Sequence, residues 1–222
     1  MNGSLQILFE DNHCLAVLKP AGLLTMGDDT GDASAADMAR EYLKDKYNKP
    51  GNVYLGVVHR LDRPVSGVLL FARTSKAASR LSDQFRRHAV RKEYVALVEG
   101  CMAESAGLLT DWLLKDRDRN HVSVVPKARQ GAKECRLEYT AESLRDNETV
   151  VRLCPLTGRS HQIRVQLANQ GHPIVGDVRY GAADQLGHRI MLHAQTLEFE
   201  HPTKKMPVVI ESQVPTAFKA GK

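Results

Sequence analysis

His59-Arg60-Leu61-Asp62-Arg63-Pro64-Val65-Ser66-Gly67 runs directly into Val68-Leu69-Leu70-Phe71-Ala72, a polar loop feeding a continuous apolar run. A short apolar run bounded in this way reads as a strand buried on both faces. Thr74 or Ser75 then caps a helix that carries Ala78, Leu81 and Phe85 on one stripe. The loop holds a lone carboxylate, Asp62, between two arginines and near a histidine. Cationic neighbours keep such a group ionised, which suits a nucleophile or a base and not a general acid.

On the N-terminal side, Leu5 to Phe9 and Cys14 to Leu18 read as two strands around an Asp11-Asn12 turn, and Ser34 caps a helix from Ala35 to Tyr47. On the C-terminal side, Tyr94 to Val98 is a strand, and Lys133 to Thr140 and Thr149 to Cys154 alternate as half-buried antiparallel strands do. Ser160 to Gln170 reads as one more helix, with Gly171 where a helix stops, followed by a last strand at Thr196 to Phe199. Strands outnumber helices, and their order is not a regular βαβα alternation. The expectation is an α+β fold with a mixed, mainly antiparallel sheet and flanking helices, formed as a single domain over residues 1–222.

Composition narrows the class. With 42% hydrophobic and 26% charged residues the chain is globular, neither disordered nor fibrous. Glu10, Asp11 and His13 interrupt the first apolar stretch short of a signal peptide or membrane span, so a cytoplasmic location and no membrane partner are expected. Cys14, Cys101, Cys135 and Cys154 are far apart and read as reduced thiols. A formal charge of +5 allows a polyanion partner, and its distribution says more. Arg86, Arg87, His88, Arg91 and Lys92 fall close together, and Lys115, Arg117, Arg119, Lys127, Arg129 and Lys133 form a later cluster.

A second polar segment, Thr157-Gly158-Arg159-Ser160-His161-Gln162-Ile163-Arg164, opens the last helix, where free N–H groups favour an anion. No phosphate-binding loop, dinucleotide fingerprint or metal-ligand spacing is present, so neither a metal nor a redox cofactor is expected.

The pattern H-R-L-D-x-x-x-S-G together with L-x-T-G-R-x-H-Q-I-R resembles the RluA-type pseudouridine synthases. Further blocks agree in order: Lys19-Pro20-Ala21-Gly22, Lys92-Glu93-Tyr94-Val95-Ala96, His172-Pro173-Ile174-Val175-Gly176-Asp177, and Leu192-His193-Ala194 with His201-Pro202. The resemblance implies a pseudouridine synthase fold with a central basic cleft and an enzyme that isomerises uridine in structured RNA, ribosomal or transfer, as a monomer without cofactor. It makes Asp62 the catalytic carboxylate, Tyr94 the ring that stacks on the target uracil, and Arg164 the cation that pairs with Asp62. Arg60 matches the residue that enters the gap left by the flipped base. His59, Arg63, Lys92, Arg159, His161 and Gln162 complete the expected RNA-binding set.

Val65 stands where the family has Thr, so a hydroxyl is missing beside Asp62. No S4-like RNA-binding domain is read ahead of the motifs, which places recognition within the catalytic domain. Two rival readings remain: a non-catalytic RNA-binding module on the same scaffold, and a glycosidase that releases free uracil. The second lacks another carboxylate in either motif.

Overall fold

The computed structural model describes residues 4–28, 30–145 and 147–218. Along them run β1 (Gln6–Glu10), β2 (Cys14–Lys19), α1 (Ala35–Lys46), β3 (Gly56–Val57), β4 (Ser66–Ala72), α2 (Ser75–Arg86) and β5 (Arg91–Glu99). There follow β6 (Ala106–Asp116), β7 (His121–Val124), β8 (Lys133–Arg145), β9 (Glu148–Pro155), α3 (Gln162–Asn169), β10 (Leu192–Glu200) and β11 (Pro207–Glu211). They gather into two compact units, one from the chain up to Arg91 together with Ala194–Ser212, the other from Lys92–His193 together with the chain after Ser212.

In the first unit β2 lies between β1 and β4, antiparallel to both. β4 neighbours β10, and β11 pairs antiparallel with β10. As its unbroken apolar sequence requires, β4 is buried on both faces, with Val68 to Ala72 no more than 1% exposed. Each fully buried leucine or phenylalanine there stabilises the fold by roughly 1.5–3 kcal/mol. Gly67, the second residue of this strand, has φ 126°, and a Cβ on it would clash with the Ala194 carbonyl oxygen. Any side chain at 67 would push the strand off β10.

Both helix caps in this unit follow the sequence. Ser34 accepts from the Asp37 N–H at the start of α1, and Thr74 accepts from the Ala77 N–H at the start of α2. α1 buries Ala35, Ala36, Ala39 and Leu43, and α2 buries Ala77 and Leu81. Buried Gln84 on α2 joins the backbone of Glu200, donating from Nε2 to its oxygen (2.8 Å) and accepting at Oε1 from its N–H (2.9 Å).

The second unit is an antiparallel sheet in the order β5-β9-β8-β6-β7. In each unit the sequence leaves two strands unread, β3 and β11 in the first and β6 and β7 in the second, and β8 runs past Thr140 to Arg145. The last helix begins at Gln162 and not at Ser160. His161 occupies its N-cap in the left-handed region (φ 52°) and gives no side-chain cap. The architecture is α+β as expected, and among the described residues no helix is long and apolar enough to cross a membrane.

Candidate active site

Asp62 is half-buried at the start of a turn closed by the Val65 N–H on its own carbonyl (3.0 Å). The backbone on each side is held by the segment that follows β2. Before Asp62, the buried Thr25 hydroxyl donates to the Leu61 carbonyl (2.7 Å) and accepts from the Leu61 N–H (3.2 Å). After it, the Arg63 carbonyl accepts from the Gly22 N–H (2.8 Å) and from the Lys19 ammonium (3.2 Å). Lys19 is fully buried, and its Nζ also donates to the carbonyls of Pro20 (3.0 Å) and Leu23 (2.7 Å). An ammonium has three protons, and here three carbonyls take them. Burial pushes Lys19 down to about 7, against the opposing pull of the nearby Asp62 charge. Thr25 carried no signal in the sequence, and Lys19 carried only its place in the Lys-Pro-Ala-Gly block.

Around this loop the other candidates take different positions. Arg60 and Arg63 are exposed. Arg63 donates from Nε to the Gly22 carbonyl (3.0 Å) and pairs with Asp32 at 2.8 Å. The His59 ring stacks on Phe85 (4.8 Å between centroids), and its Nε2 accepts from the Leu70 N–H (2.9 Å). His59, expected in the RNA-binding set, therefore braces β4 through Nε2. Val65 is buried, an apolar site that suits valine.

In the second unit Tyr94 is half-buried on β5, opposite Leu153 of β9. Lys92, two residues earlier, donates to the Thr157 carbonyl (3.3 Å), and burial lowers its pKa below that of a free lysine. Arg164 lies in α3 with only 5% exposure. Its guanidinium forks onto Asp177, Nε to Oδ2 at 2.6 Å and a terminal nitrogen to Oδ1 at 2.8 Å, and lies 4.9 Å from the Tyr180 ring centroid. Expected as a partner for Asp62, Arg164 thus has a carboxylate of its own unit bound to it. The sequence pattern holds Asp177 and Tyr180 in one block and gives neither a role.

Gln162 had been expected to face RNA, but it is buried and both ends of its amide are occupied. Its Oε1 accepts from the Thr157 hydroxyl (2.8 Å) and the Arg159 N–H (3.0 Å), and its Nε2 donates to the Arg136 carbonyl (3.0 Å). It shapes the turn that presents Arg159 and His161. Arg159 donates from Nε to the Glu134 carbonyl (3.1 Å), and His161 Nδ1 lies 2.6 Å from the Tyr180 hydroxyl.

Among the described residues one trio brings ligand-type atoms within 4.8 Å of one another: Asp11, Cys14 and His201. Its bonds are those of a structural latch. His201 Nδ1 accepts from the N–H groups of Thr203 (3.2 Å) and Lys204 (2.9 Å), so the ring proton sits on Nε2 and is donated to Asp11 Oδ2 (2.7 Å). Asp11 Oδ1 accepts from the N–H groups of His13 and Cys14, both at 2.8 Å. Burial raises the Cys14 thiol to about 12, so without a metal it stays protonated.

Comparison with known proteins identifies the family. Residues 13–169 match the family of RNA pseudouridylate synthases. A tRNA pseudouridine synthase C of Haemophilus ducreyi is 36% identical over 94% of this chain and 90% of its own length. A ribosomal large subunit pseudouridine synthase C of Haemophilus influenzae is 37% identical over 89% of this chain and 61% of its own length. Among solved structures, human RNA pseudouridylate synthase domain containing 1 superimposes with a TM-score of 0.76 at 28% identity, covering 97% of this chain and 86% of that one. The chain belongs to the RNA pseudouridylate synthase family, whose RluA-type motifs it carries.

Proposed function

We propose that this protein isomerises specific uridines to pseudouridine in structured RNA, with Asp62 as the reacting carboxylate. Family membership supports the reaction. The observation that carries the assignment of Asp62 is its backbone, held on one side by Thr25 and on the other by Gly22 and Lys19. A carboxylate held in this way can meet a nucleotide without reorganising. The reaction breaks the C–N glycosidic bond, turns the detached uracil and rejoins it through C5, with no net oxidation or hydrolysis. Tyr94 offers the aromatic face for the uracil, and Arg164, charged at any physiological pH, the fixed cation. Exposed Arg60 occupies the space left by the flipped base, offsetting part of the unstacking cost of a few kcal/mol. The family match runs through residues of both units, and we read them as parts of one catalytic domain.

Relatives named for transfer RNA and for large-subunit ribosomal RNA are both similar to this chain, and structured RNA is the substrate class proposed. Mapping pseudouridine in unmodified ribosomal and transfer RNA after incubation with the protein tests this reading. Wild type is expected to convert discrete uridines without releasing uracil. Asp62→Asn is expected to lose at least about 10²-fold in turnover while RNA affinity stays within a few fold. Activity of Asp62→Asn above about 1% of wild type overturns the role of Asp62, and binding without conversion by wild type points to the non-catalytic alternative.

A further inference from the structure

The second unit carries a cationic surface that the proposed chemistry leaves unused. Between Lys115 and Arg136 seven cations stand against three carboxylates, which gives this tenth of the chain four of its five net positive charges. All seven cations are exposed. One of the carboxylates is engaged by the turn itself, since Asp116 Oδ1 accepts from the N–H groups of Asp118 (3.0 Å) and Arg119 (3.1 Å). The Arg119 side chain is 85% exposed and approaches Asp116 only to 3.9 Å, leaving its fork accessible to solvent.

Next to these charges lies an open groove of about 740 Å³, with Leu114, Val125 and Pro126 as apolar lining, Lys115 and Arg129 as cations, and Ser123 and the turn-engaged Asp116 between them. Lys127 places its ammonium 5.3 Å from the ring of Trp112, the chain's single tryptophan. The hairpin is firmly attached to its own unit. Val122 donates to the Tyr180 hydroxyl (3.1 Å), the His121 ring packs on Tyr180 at 5.0 Å, and Arg179 donates to the Asn120 carbonyl (3.0 Å). Tyr180 also lies against Arg164 and reaches His161. Anything bound on the hairpin is therefore held at a fixed offset from Arg164.

We propose that the hairpin end Lys115 to His121 and the turn 126–133 form a second docking surface, which takes the phosphodiester backbone of an RNA segment flanking the modified uridine. The inference rests on the RNA reading above. The partner follows from the chemistry: exposed forked guanidiniums match phosphate oxygens, and an apolar groove with cations at its edge admits a sugar-phosphate chain. The function of this surface is to select substrates by what surrounds the target, through contacts that the reacting nucleotide never makes.

The test compares wild type with a Lys115→Gln, Arg117→Gln, Arg119→Gln triple variant and a charge-keeping Arg117→Lys, Arg119→Lys variant. The probes are transcripts of large-subunit ribosomal RNA and transfer RNA, and a short uridine-containing stem-loop. Affinity is measured across a potassium chloride series. For the transcripts the triple variant is expected to bind about tenfold more weakly, with a salt slope shallower by about two to three units, since each lost phosphate contact removes about 0.7–0.9. The lysine variant is expected to keep the slope, and binding of the stem-loop to stay within twofold. Wild-type affinity and slope in the triple variant overturn the proposal, as does an equal loss on the stem-loop. Should the triple variant melt early, Arg119→Gln alone is expected to lower the slope by about one unit, and an unchanged slope there overturns the proposal too. Absence of pseudouridine in every probe with wild type counts against the enzymatic reading alone, because the slopes are read from binding.

Discussion

Two buried cations, one in each unit, are held in different ways. In the first unit Lys19 gives its protons to three neutral carbonyls around the Asp62 loop, whereas in the second Arg164 meets a full countercharge on Asp177. The carbonyls offer dipoles but no full countercharge, so the lysine remains titratable and burial pulls it down to about 7. The guanidinium is paired and does not titrate. The Asp62 support is thus sensitive to pH, and the Arg164 support to the loss of a single side chain.

Removing Asp177 separates the two most sharply. Asp177→Ala leaves a buried guanidinium without its carboxylate, and a loss of about 3–5 kcal/mol in urea denaturation is expected, with turnover falling alongside. A loss below about 1 kcal/mol would mean that Arg164 finds another anion and that the contrast with Lys19 is false. Lys19→Met orphans only neutral carbonyls, and about 1–3 kcal/mol is expected at pH 6.5. The pH dependence distinguishes it further. Between about 7 and the ordinary lysine value of 10.5 the folded state holds fewer protons on Lys19 than the unfolded state does, so this group makes stability rise with pH across that window. Denaturation midpoints at pH 6.5 and 9 should show the rise in wild type and its loss in Lys19→Met.

The smallest effect belongs to His193, buried in the second unit and pushed down by burial from 6.5 to about 4. Its contribution is complete above pH 6.5 and is lost as pH falls through about 4. His193→Gln is expected to flatten the acid side of the stability profile, recovering about 1 kcal/mol of the acid-induced loss at pH 5.5. An identical acid limb in the variant would show that the ring is not held neutral.

The same contrast governs what could be read from the chain. β4, the caps Ser34 and Thr74 and the Asp62 loop were legible because each rests on local pattern: an apolar run, a capping residue, a polar loop between them. β6 was missed because Leu108, Leu109, Trp112, Leu113 and Leu114 alternate on neither period, and its partner β8 comes some twenty residues later. β11 is a short edge strand that begins with proline. At the site, residue types were visible and partners were not. Lys19 and Thr25 act on backbone atoms that every residue has, and Asp177 meets Arg164 across thirteen positions with no periodic relation. Gln162 was placed on the wrong side because a polar residue in a first helical turn ordinarily faces water, while here its amide fills the needs of a turn.

The first unit is assembled from sequence-distant pieces, and this sets an order of events on the ribosome. β4 has β10 as a neighbour, Gly67 lies against Ala194, Gln84 binds Glu200, and Asp11 binds His201. None of these contacts exists until residues 194–201 have been synthesised. The second unit, continuous from Lys92 to His193 apart from its last residues, has its sheet strands available earlier. Loop closure over such separations is slow, so the nascent chain carries β1, β2 and β4 with an open flank while the later strands emerge. The first unit's sheet is therefore completed only as the strand from Ala194 onward seats beside β4.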